Sequence, residues 1–148
     1  VVTRLLLLVG ADKAYFGEKD FQQLQVIRAL SRDLAIPSQI VGVPIVREAS
    51  GLALSSRNAY LSADEKQKAD QLNRVIFSMQ KDLRNGAAID EQEQWAATEL
   101  RRIGFDKIDY CTVRDCATLL PPTSATTARR ILVAAWLGKT RLIDNCDV

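Results

Sequence analysis

The sequence predicts an α/β protein in which a parallel strand-helix-strand unit precedes a small module of helices and antiparallel strands. A strand-like run at 13–16 leads into helical periodicity, and a second apolar run follows at 39–43, which is the order of a parallel unit. Three further strand-like runs lie near the end of the chain. With 148 residues, 47% hydrophobic and 26% charged, the composition is typical of one globular domain or two small ones.

The first predicted domain spans residues 1–60. The apolar run at its start is typical of a buried helix that stops at Gly10, and it is too short to cross a bilayer. The next helix should begin after Gly17, because Asp20 and Gln23 have capping-box spacing and apolar residues then recur at helical intervals. The run at 39–43 predicts a second buried strand, parallel to the first.

The second predicted domain spans residues 61–148. Ser62 and Glu65 form a capping box, and one long amphipathic helix should follow it as far as Asn85-Gly86. Its apolar stripe consists of Ala69, Leu72, Ile76, Met79 and Leu83. A further helix at 90–103 should precede strands at 107–113, 130–136 and 140–144, the last two joined by a hairpin turn at 137–139.

Charge and cysteine content argue against several classes of protein. A net charge of +2, from 20 basic and 18 acidic residues, lacks the strong positive field of a nucleic-acid-binding protein. The odd number of cysteines, three, and the absence of histidine argue against a structural metal site. We therefore expect no nucleic-acid partner, no membrane partner, no protein-bound metal, and reduced thiols in a cytoplasmic protein.

Two polar motifs follow the predicted parallel strands. The first is Phe16-Gly17-Glu18-Lys19-Asp20-Phe21-Gln22-Gln23, and the second runs from Val46 to Asn58 and contains Ser55-Ser56-Arg57. Each motif places a glycine or a pair of hydroxyls beside a cation, which is the chemistry that holds a nucleotide phosphate. Since ligands of parallel sheets bind at the carboxyl ends of the strands, we expect the two motifs to converge there.

Each motif taken alone has a simpler explanation. Gly17 is typical of an ordinary turn after a strand, and Lys19 of a solvated surface lysine. Ser55-Ser56-Arg57 is equally typical of a polar loop with an exposed arginine. The presence of both motifs at neighbouring strand ends favours a ligand site.

The motifs closely resemble those of the pantothenate synthetase family. The resemblance includes Val43-Pro44-Ile45-Val46-Arg47-Glu48, Gly51-Leu52-Ala53 and Ser55-Ser56-Arg57-Asn58, and it continues to the closing run from Gly138 to Asn145. It implies a partial Rossmann-like nucleotide-binding unit followed by a small α+β domain. The family's N-terminal segment, with the first strands and a His-x-Gly-His motif, has no counterpart here, so we expect the chain to be the C-terminal half of a longer enzyme.

The resemblance implies a two-step reaction. ATP, accompanied by Mg²⁺, and pantoate give a pantoyl adenylate and pyrophosphate, and the amine of β-alanine then attacks the acyl carbon to yield pantothenate and AMP. Charge builds on the α-phosphate and the pyrophosphate in the first step, and preorganised cations and donors stabilise it. The implied catalytic residues are Lys19, Ser55, Ser56 and Arg57, the last three on a mobile loop that closes over the triphosphate.

The resemblance also implies binding roles. The implied nucleotide-binding residues are Gly17, Glu18, Lys19, Asp20, Val46, Leu54, Ser55, Ser56 and Arg57. Gly17 would let the backbone approach the nucleotide, and Val46 would bind the adenine edge through its backbone. Asp20 would accept ribose hydroxyls, although a helix-capping role competes for its carboxylate. Gln23 would contact pantoate.

The resemblance also implies that the chain is inactive alone. In the parent enzyme, which would be a homodimer, the second half of the chain would act as a lid.

Two other functions remain open at this level. They are another adenylate-forming nucleotidyltransferase and a non-catalytic binding or structural half-module. Dependence of pyrophosphate release on pantoate would distinguish the first, and whether the isolated chain binds ATP or adenylate at all would distinguish the second.

Overall fold

A computed structural model describes all 148 residues and confirms the predicted α/β fold class. The chain forms two compact units, Val1–Ile45 and Val46–Val148. This division comes earlier in the chain than the domain boundary predicted at 60/61. Residues 46–60 belong to the second unit because Leu52 is buried in its core and Arg47 binds a carboxylate on its last strand.

The first unit contains the predicted parallel pair of strands. Its elements are α1 (Val2–Val9), β1 (Lys13–Gly17), a 3-10 turn (Glu18–Asp20), α2 (Phe21–Asp33) and β2 (Gln39–Val43). Strands β1 and β2 pair in parallel, with Lys13 opposite Gln39 and Gly17 opposite Val43. Gly10 ends α1 in the left-handed conformation, with φ of 60°, as the sequence predicts.

Burial in the first unit is lower than predicted. Helix α1 buries only Leu6, and no residue of β2 is fully buried, so the predictions of a buried helix and a buried strand are wrong for this chain. Leu6, Ile27 and Ile36 form the small core. The sheet has only two strands, and each of them keeps one unpaired edge.

Helix α2 begins at the predicted place but without the predicted capping box. Asp20 occupies the N-cap position, yet its side chain accepts no hydrogen bond from the helix. The preceding 3-10 turn holds Asp20 at φ −91° and ψ 56°, outside the extended conformation that a capping side chain needs. The exposed Asp20 carboxylate is therefore not used by the helix.

The second unit is a helical layer on an antiparallel sheet. Its elements are a 3-10 helix (Ser56–Tyr60), α3 (Ala63–Ala69), α4 (Leu72–Arg84), α5 (Ile89–Ile103), β3 (Lys107–Asp115), β4 (Arg129–Leu137) and β5 (Thr140–Asp147). The strand order is β3-β4-β5, and both pairs are antiparallel. The capping box of Ser62 and Glu65 is present. The hairpin turn between β4 and β5 is confirmed, with Gly138 at φ 53°.

The long helix predicted after Ser62 is in fact two helices. The chain stays near helical geometry at Asp70 and Gln71, with ψ of −16° and −15°, but the regular hydrogen bonding is interrupted there. The carboxylate of Asp70 accepts a hydrogen bond from Ser50 Oγ at 2.7 Å at this interruption. Ala69 and Leu72, on either side of the break, are both fully buried, so the predicted apolar stripe is preserved.

The core of the second unit lies between its helices and its sheet. Ile76, Met79, Val113 and Ile131 are all fully buried in it. The three cysteines are free, and burial raises the pKa of both Cys111 and Cys146 to about 12. These two thiols act as packing groups rather than nucleophiles. None of the helices combines the length and the apolar character that a bilayer crossing requires.

The Asp109 carboxylate on β3 contacts three donor side chains on the face of the sheet. It accepts hydrogen bonds from Arg141 Nε at 2.7 Å and Trp136 Nε1 at 3.1 Å, and it forms an ion pair with Lys107 Nζ at 3.1 Å. The Arg141 guanidinium, followed by the Lys107 ammonium, lowers the pKa of Asp109 to about 2. Asp109 thereby connects β3 to both strands of the β4-β5 hairpin.

The lowered pKa of Asp109 predicts a stability loss in acid. Because the folded-state pKa of about 2 lies below the ordinary 3.8, the stabilisation is present above pH 4 and disappears as the pH falls towards 2. Urea unfolding midpoints of the wild type and Asp109→Asn should differ at pH 7 and converge near pH 2. Asp82→Asn, at a carboxylate without an ion pair, is the control. A gap between wild type and Asp109→Asn that persists at pH 2 would contradict the assignment.

Candidate functional site

Gly17 ends β1 with its Cα open to solvent. Its φ of −65° and ψ of 132° are accessible to any residue, so the backbone does not require glycine there. A Cβ built on Gly17 meets no atom within 4 Å, so packing does not require glycine either. The turn after β1 therefore does not by itself require glycine at position 17. A requirement for glycine here would have to come from a ligand that approaches the backbone.

Glu18 lies against the sheet rather than in the open. A Cβ on Gly42 of β2 would stand 2.9 Å from Glu18 Oε1 and 3.2 Å from a terminal nitrogen of Arg28. The carboxylate and the guanidinium thus share the space that Gly42 leaves empty. This packing gives Glu18 a structural role, which the sequence analysis did not predict, beside the nucleotide-binding role that remains a prediction.

The other polar residues of the first motif stand where β1 passes into α2. Lys19 and Asp20 belong to the 3-10 turn, with Lys19 half-buried and Asp20 exposed. Gln23 is exposed in the first turn of α2. The amino end of this 13-residue helix carries a partial positive charge, which favours an anion beside the turn.

The second motif begins with a short hairpin between Val46 and Leu54. Leu54 N–H donates to the Val46 carbonyl at 2.9 Å, and Glu48 N–H donates to the Leu52 carbonyl at 2.8 Å. Gly51 makes the turn at φ 94°, and a Cβ there would collide with the Asn73 side-chain amide. Val46 and Leu54 are both at least half exposed, at 61% and 50%. The Val46 carbonyl already has a partner in the chain, whereas its N–H has none.

The Ser55-Ser56-Arg57 segment forms the start of a short 3-10 helix. Ser55 is the N-cap residue, and its Oγ accepts a hydrogen bond from Arg57 N–H at 3.2 Å. Ser56 and Arg57 are exposed, and the Arg57 guanidinium makes no ion pair or hydrogen bond in the chain. The segment thus presents a hydroxyl and an uncompensated, permanently charged donor fork to solvent.

A buried ion pair that the sequence analysis did not assign holds the second motif in place. Arg47 donates two hydrogen bonds to Asp144 on β5, at 2.7 and 2.9 Å, and a third to the Gly51 carbonyl at 3.0 Å. The Asp144 side chain is only 1% exposed, and the Arg47 guanidinium lies over the Phe77 ring at 5.1 Å. No local sequence signal could reveal this pair, because 97 residues separate its members.

Asn58 forms a second anchor of the same loop. Its side-chain amide donates to Glu48 Oε1 at 2.9 Å and to the Ala53 carbonyl at 3.2 Å. Glu48 also pairs with Lys66 Nζ of α3 at 2.9 Å, and this ammonium is the largest cause of the lowered pKa of Glu48. Asn58 Oδ1 is buried without a partner. Asn58 was part of the motif that carried the resemblance, but its role as an anchor of the loop was not predicted.

The predicted site residues divide between the two units. Gly17, Lys19, Asp20 and Gln23 lie in the first unit, and the residues from Val46 to Arg57 lie in the second. Convergence of the two motifs stays a prediction. No group of three or more histidine, cysteine, aspartate or glutamate side chains is arranged to hold a metal ion.

The model of the family described as pantoate-beta-alanine ligase matches residues 1–147. The chain belongs to this family. It is 48% identical over 148 residues to pantothenate synthetase of Chelativorans sp. strain BNC1, and 50% identical over 148 residues to that of Paramagnetospirillum magneticum. Each alignment covers 100% of this chain and 52% of the relative, so the chain spans about half the length of the curated relatives it matches.

Solved structures show the same relationship. Pantothenate synthetase from Thermus thermophilus matches with a TM-score of 0.91 and 43% identity, over 99% of this chain and 53% of that one. A pantoate-beta-alanine ligase from Francisella tularensis, complexed with beta-gamma ATP and beta-alanine, matches with a TM-score of 0.70 and 29% identity over 99% of this chain and 47% of that one. These matches confirm the resemblance predicted from the two polar motifs.

Loss of the Arg47 guanidinium should destabilise the second unit strongly. Arg47→Met leaves the Asp144 carboxylate buried without its ion-pair partner and with only the Asn145 N–H as a donor, which costs about 3 kcal/mol in the free energy of unfolding. Arg84→Met is the control, because the Arg84–Asp147 pair is exposed, at 50% and 68%, and should contribute under about 1 kcal/mol. Urea unfolding checks both values. Equal losses in the two variants would show that burial does not set the strength of the Arg47 pair.

Loss of the Asn58 donor should loosen the Ser55–Arg57 segment without changing its composition. Asn58→Asp keeps the side-chain size but turns a carboxylate towards Glu48, and it removes both hydrogen bonds. Amide hydrogen exchange at Arg57 and at position 58 should accelerate about tenfold at pH 7.5. Asn85→Ala, at the exposed carboxyl end of α4, should leave those amides unchanged. Unchanged exchange in Asn58→Asp would exclude Asn58 as an anchor of the segment.

Proposed function

We propose that this chain is the part of a pantoate–β-alanine ligase that binds the phosphates of ATP and positions pantoate. The reaction joins pantoate to β-alanine through a pantoyl adenylate, with release of pyrophosphate and AMP. The observation that carries the proposal is the Ser55–Arg57 segment, where an anchored loop presents an unpaired guanidinium to solvent. A cation without an internal partner is suited to an anionic ligand.

Adenylate formation is the step to which these residues contribute. The pantoate carboxylate attacks the α-phosphorus of ATP, and the bond to the bridging oxygen of pyrophosphate breaks. Negative charge accumulates on the phosphate oxygens, where Lys19, Ser55, Ser56 and Arg57 provide cations and donors. Mg²⁺ would accompany ATP through the phosphate oxygens, because the chain has no carboxylate cluster that could hold the ion by itself.

The first motif would position the rest of the two substrates. The absence of a Cβ at Gly17 leaves room for the nucleotide to approach the β1 backbone. The exposed Asp20 carboxylate, which does not cap α2, can accept ribose hydroxyls. Gln23 would bind pantoate from the first turn of the helix.

Two residues of the second motif would complete the nucleotide contacts. The free Val46 N–H would bind the adenine edge. Leu54 would contact the nucleotide beside Val46.

The remaining roles belong to the assembled enzyme. In the second step the β-alanine amine attacks the acyl carbon of the adenylate, and the second unit would exclude water from this intermediate as a lid. The chain has no histidine, so a step that needs an imidazole would require other residues. We therefore propose that the chain is inactive alone and acts in a cytoplasmic, homodimeric parent enzyme. The complex of the Francisella ligase with ATP and beta-alanine supports both substrates.

A binding function without catalysis is the second candidate. The chain spans about half the length of the relatives and has no histidine, both of which are compatible with a module that holds ATP or a partner and performs no chemistry. This candidate predicts that ATP binds but that pantoate never promotes pyrophosphate release.

A chimeric enzyme can test the ligase proposal. The part of the Chelativorans pantothenate synthetase that precedes its match to this chain would be fused to this chain, and pyrophosphate release would be measured with and without pantoate. We expect release that depends on pantoate. Lys19→Ala should lower the adenylation rate by at least about tenfold, because a cation at the phosphates is lost. Val46→Ala should stay within about threefold, because its proposed contact uses the backbone.

The possible outcomes of this experiment support different functions. If another carboxylic acid supports pyrophosphate release and pantoate does not, the chain belongs to a different adenylate-forming enzyme. An inactive chimera that binds ATP would favour the binding module, and a loss below tenfold in Lys19→Ala would count against the role of Lys19. The isolated 148-residue chain, assayed in parallel, should release no pyrophosphate.

A further inference from the structure

A groove within the second unit lies beside Arg57 and includes residues to which nothing above gives a role. It has a volume of about 760 Å³ and is open to solvent. Its walls come from the 3-10 helix, the start of α3 and the β4-β5 hairpin, and the residues used below are Arg57, Tyr60, Glu65, Trp136, Lys139 and Arg141. The groove thus connects the Ser55–Arg57 segment with the hairpin turn.

The charge of this groove is positive and only partly compensated. Arg141 is paired with Asp109 at 2.7 Å, so its charge is largely neutralised inside the protein. The Arg57 guanidinium and the Lys139 ammonium make no ion pair or hydrogen bond in the chain. The carboxylate in the lining, Glu65, accepts a hydrogen bond from Ser62 N–H at 2.8 Å in the capping box of α3. The groove therefore presents two cations without ion-pair partners on opposite elements, against the single carboxylate of Glu65, and keeps a net positive charge.

Two contacts of Gly138 hold the turn that carries Lys139. Gly138 N–H donates to Asp106 Oδ2 at 2.6 Å, and Glu65 Oε1 packs against Gly138 where any Cβ would collide with it. Lys139 follows directly and is exposed. A lysine on a fixed turn loses less freedom on binding an anion than a lysine on a mobile loop.

The aromatic residues of the groove limit the kinds of ligand that it can bind. Tyr60 is 77% exposed, and Trp136 forms part of the wall while its indole N–H donates to Asp109. These rings offer few donors, so cations must hold a strongly charged ligand in the groove. Two separated cations fit an anion with two linked charged groups better than they fit a single phosphate.

We propose that this groove binds two linked phosphates, with Arg57 on one and Lys139 of the β4-β5 turn on the other. The ligand is a pyrophosphate group, either as the β,γ-phosphates of ATP or as the released product. The proposal rests on the proposed function, since Arg57 belongs to the phosphate-binding segment. It adds Lys139, in the last hairpin of the chain, as a phosphate contact.

The test uses the full 148-residue chain and the two tryptophan side chains as reporters. Titration with pyrophosphate should shift the indole ¹⁵N–¹H resonance of Trp136, assigned with Trp95→Phe, and leave that of Trp95 in place. Lys139→Gln should weaken pyrophosphate binding by about tenfold, because one charged contact is lost. Lys139→Arg should retain most of the affinity, and Lys81→Gln, on α4 outside the groove, should bind as the wild type does.

A double-mutant cycle separates this proposal from the proposed function. Losses in Lys139→Gln and Arg57→Gln that are less than additive would show that both side chains hold the same anion. Loss in Arg57→Gln with no change in Lys139→Gln would overturn the groove while leaving the phosphate role of Arg57 intact. Failure of pyrophosphate to bind at millimolar concentration, with Trp136 unmoved, would also overturn it. If Lys139→Gln weakened the binding of AMP as much as the binding of pyrophosphate, the assignment to linked phosphates would be overturned.

The two sources of the ligand are distinguished by the same variants. A Lys139→Gln effect on both ATP and free pyrophosphate supports a groove that holds the phosphates before and after bond cleavage. An effect on free pyrophosphate without one on ATP supports a groove for the released product.

Discussion

The ion pair between Arg47 and Asp144 is the contact on which the second half of the candidate site depends. Removing both charges from water costs several kcal/mol, and bidentate geometry with a third hydrogen bond to Gly51 offsets this cost. The pair binds the loop after β2 to the last strand of the chain. It therefore explains why residues 46–60 belong to the second unit, although they follow the parallel strands in sequence.

Around this pair, contacts inside the protein anchor the loop, and its exposed side chains lie where a ligand would bind. Gly51 and Asn58 are required by contacts inside the protein, a close approach to Asn73 in one case and two side-chain hydrogen bonds in the other. Ser56 and Arg57 have exposed side chains free of such contacts. Preorganisation of this kind lowers the entropic cost of binding, because the backbone is already held when the anion arrives.

Local patterns in the sequence predicted most elements and failed where long-range contacts decide. Helix α5, the capping box at Ser62 and the β4-β5 turn follow from spacing and glycine placement alone. The break after Ala69 did not, because the apolar stripe continues through it and its polar contact comes from Ser50, 20 residues away. The burial of the apolar faces in the first unit was overestimated, since periodicity shows that a face is apolar but not which element covers it.

The ionisable groups of the chain limit the kind of catalysis that it can contribute. It has no histidine, and burial keeps the Cys111 and Cys146 thiols protonated, with pKa values raised to about 12. The motif residues are instead permanent charges, hydroxyls and backbone amides. Such groups stabilise developing charge and transfer protons poorly at neutral pH. In an adenylation reaction, where carboxylate attacks phosphorus and pyrophosphate leaves, charge stabilisation is the main requirement. These groups therefore suit the proposed adenylation step better than the proposed second step, in which an amine must lose a proton.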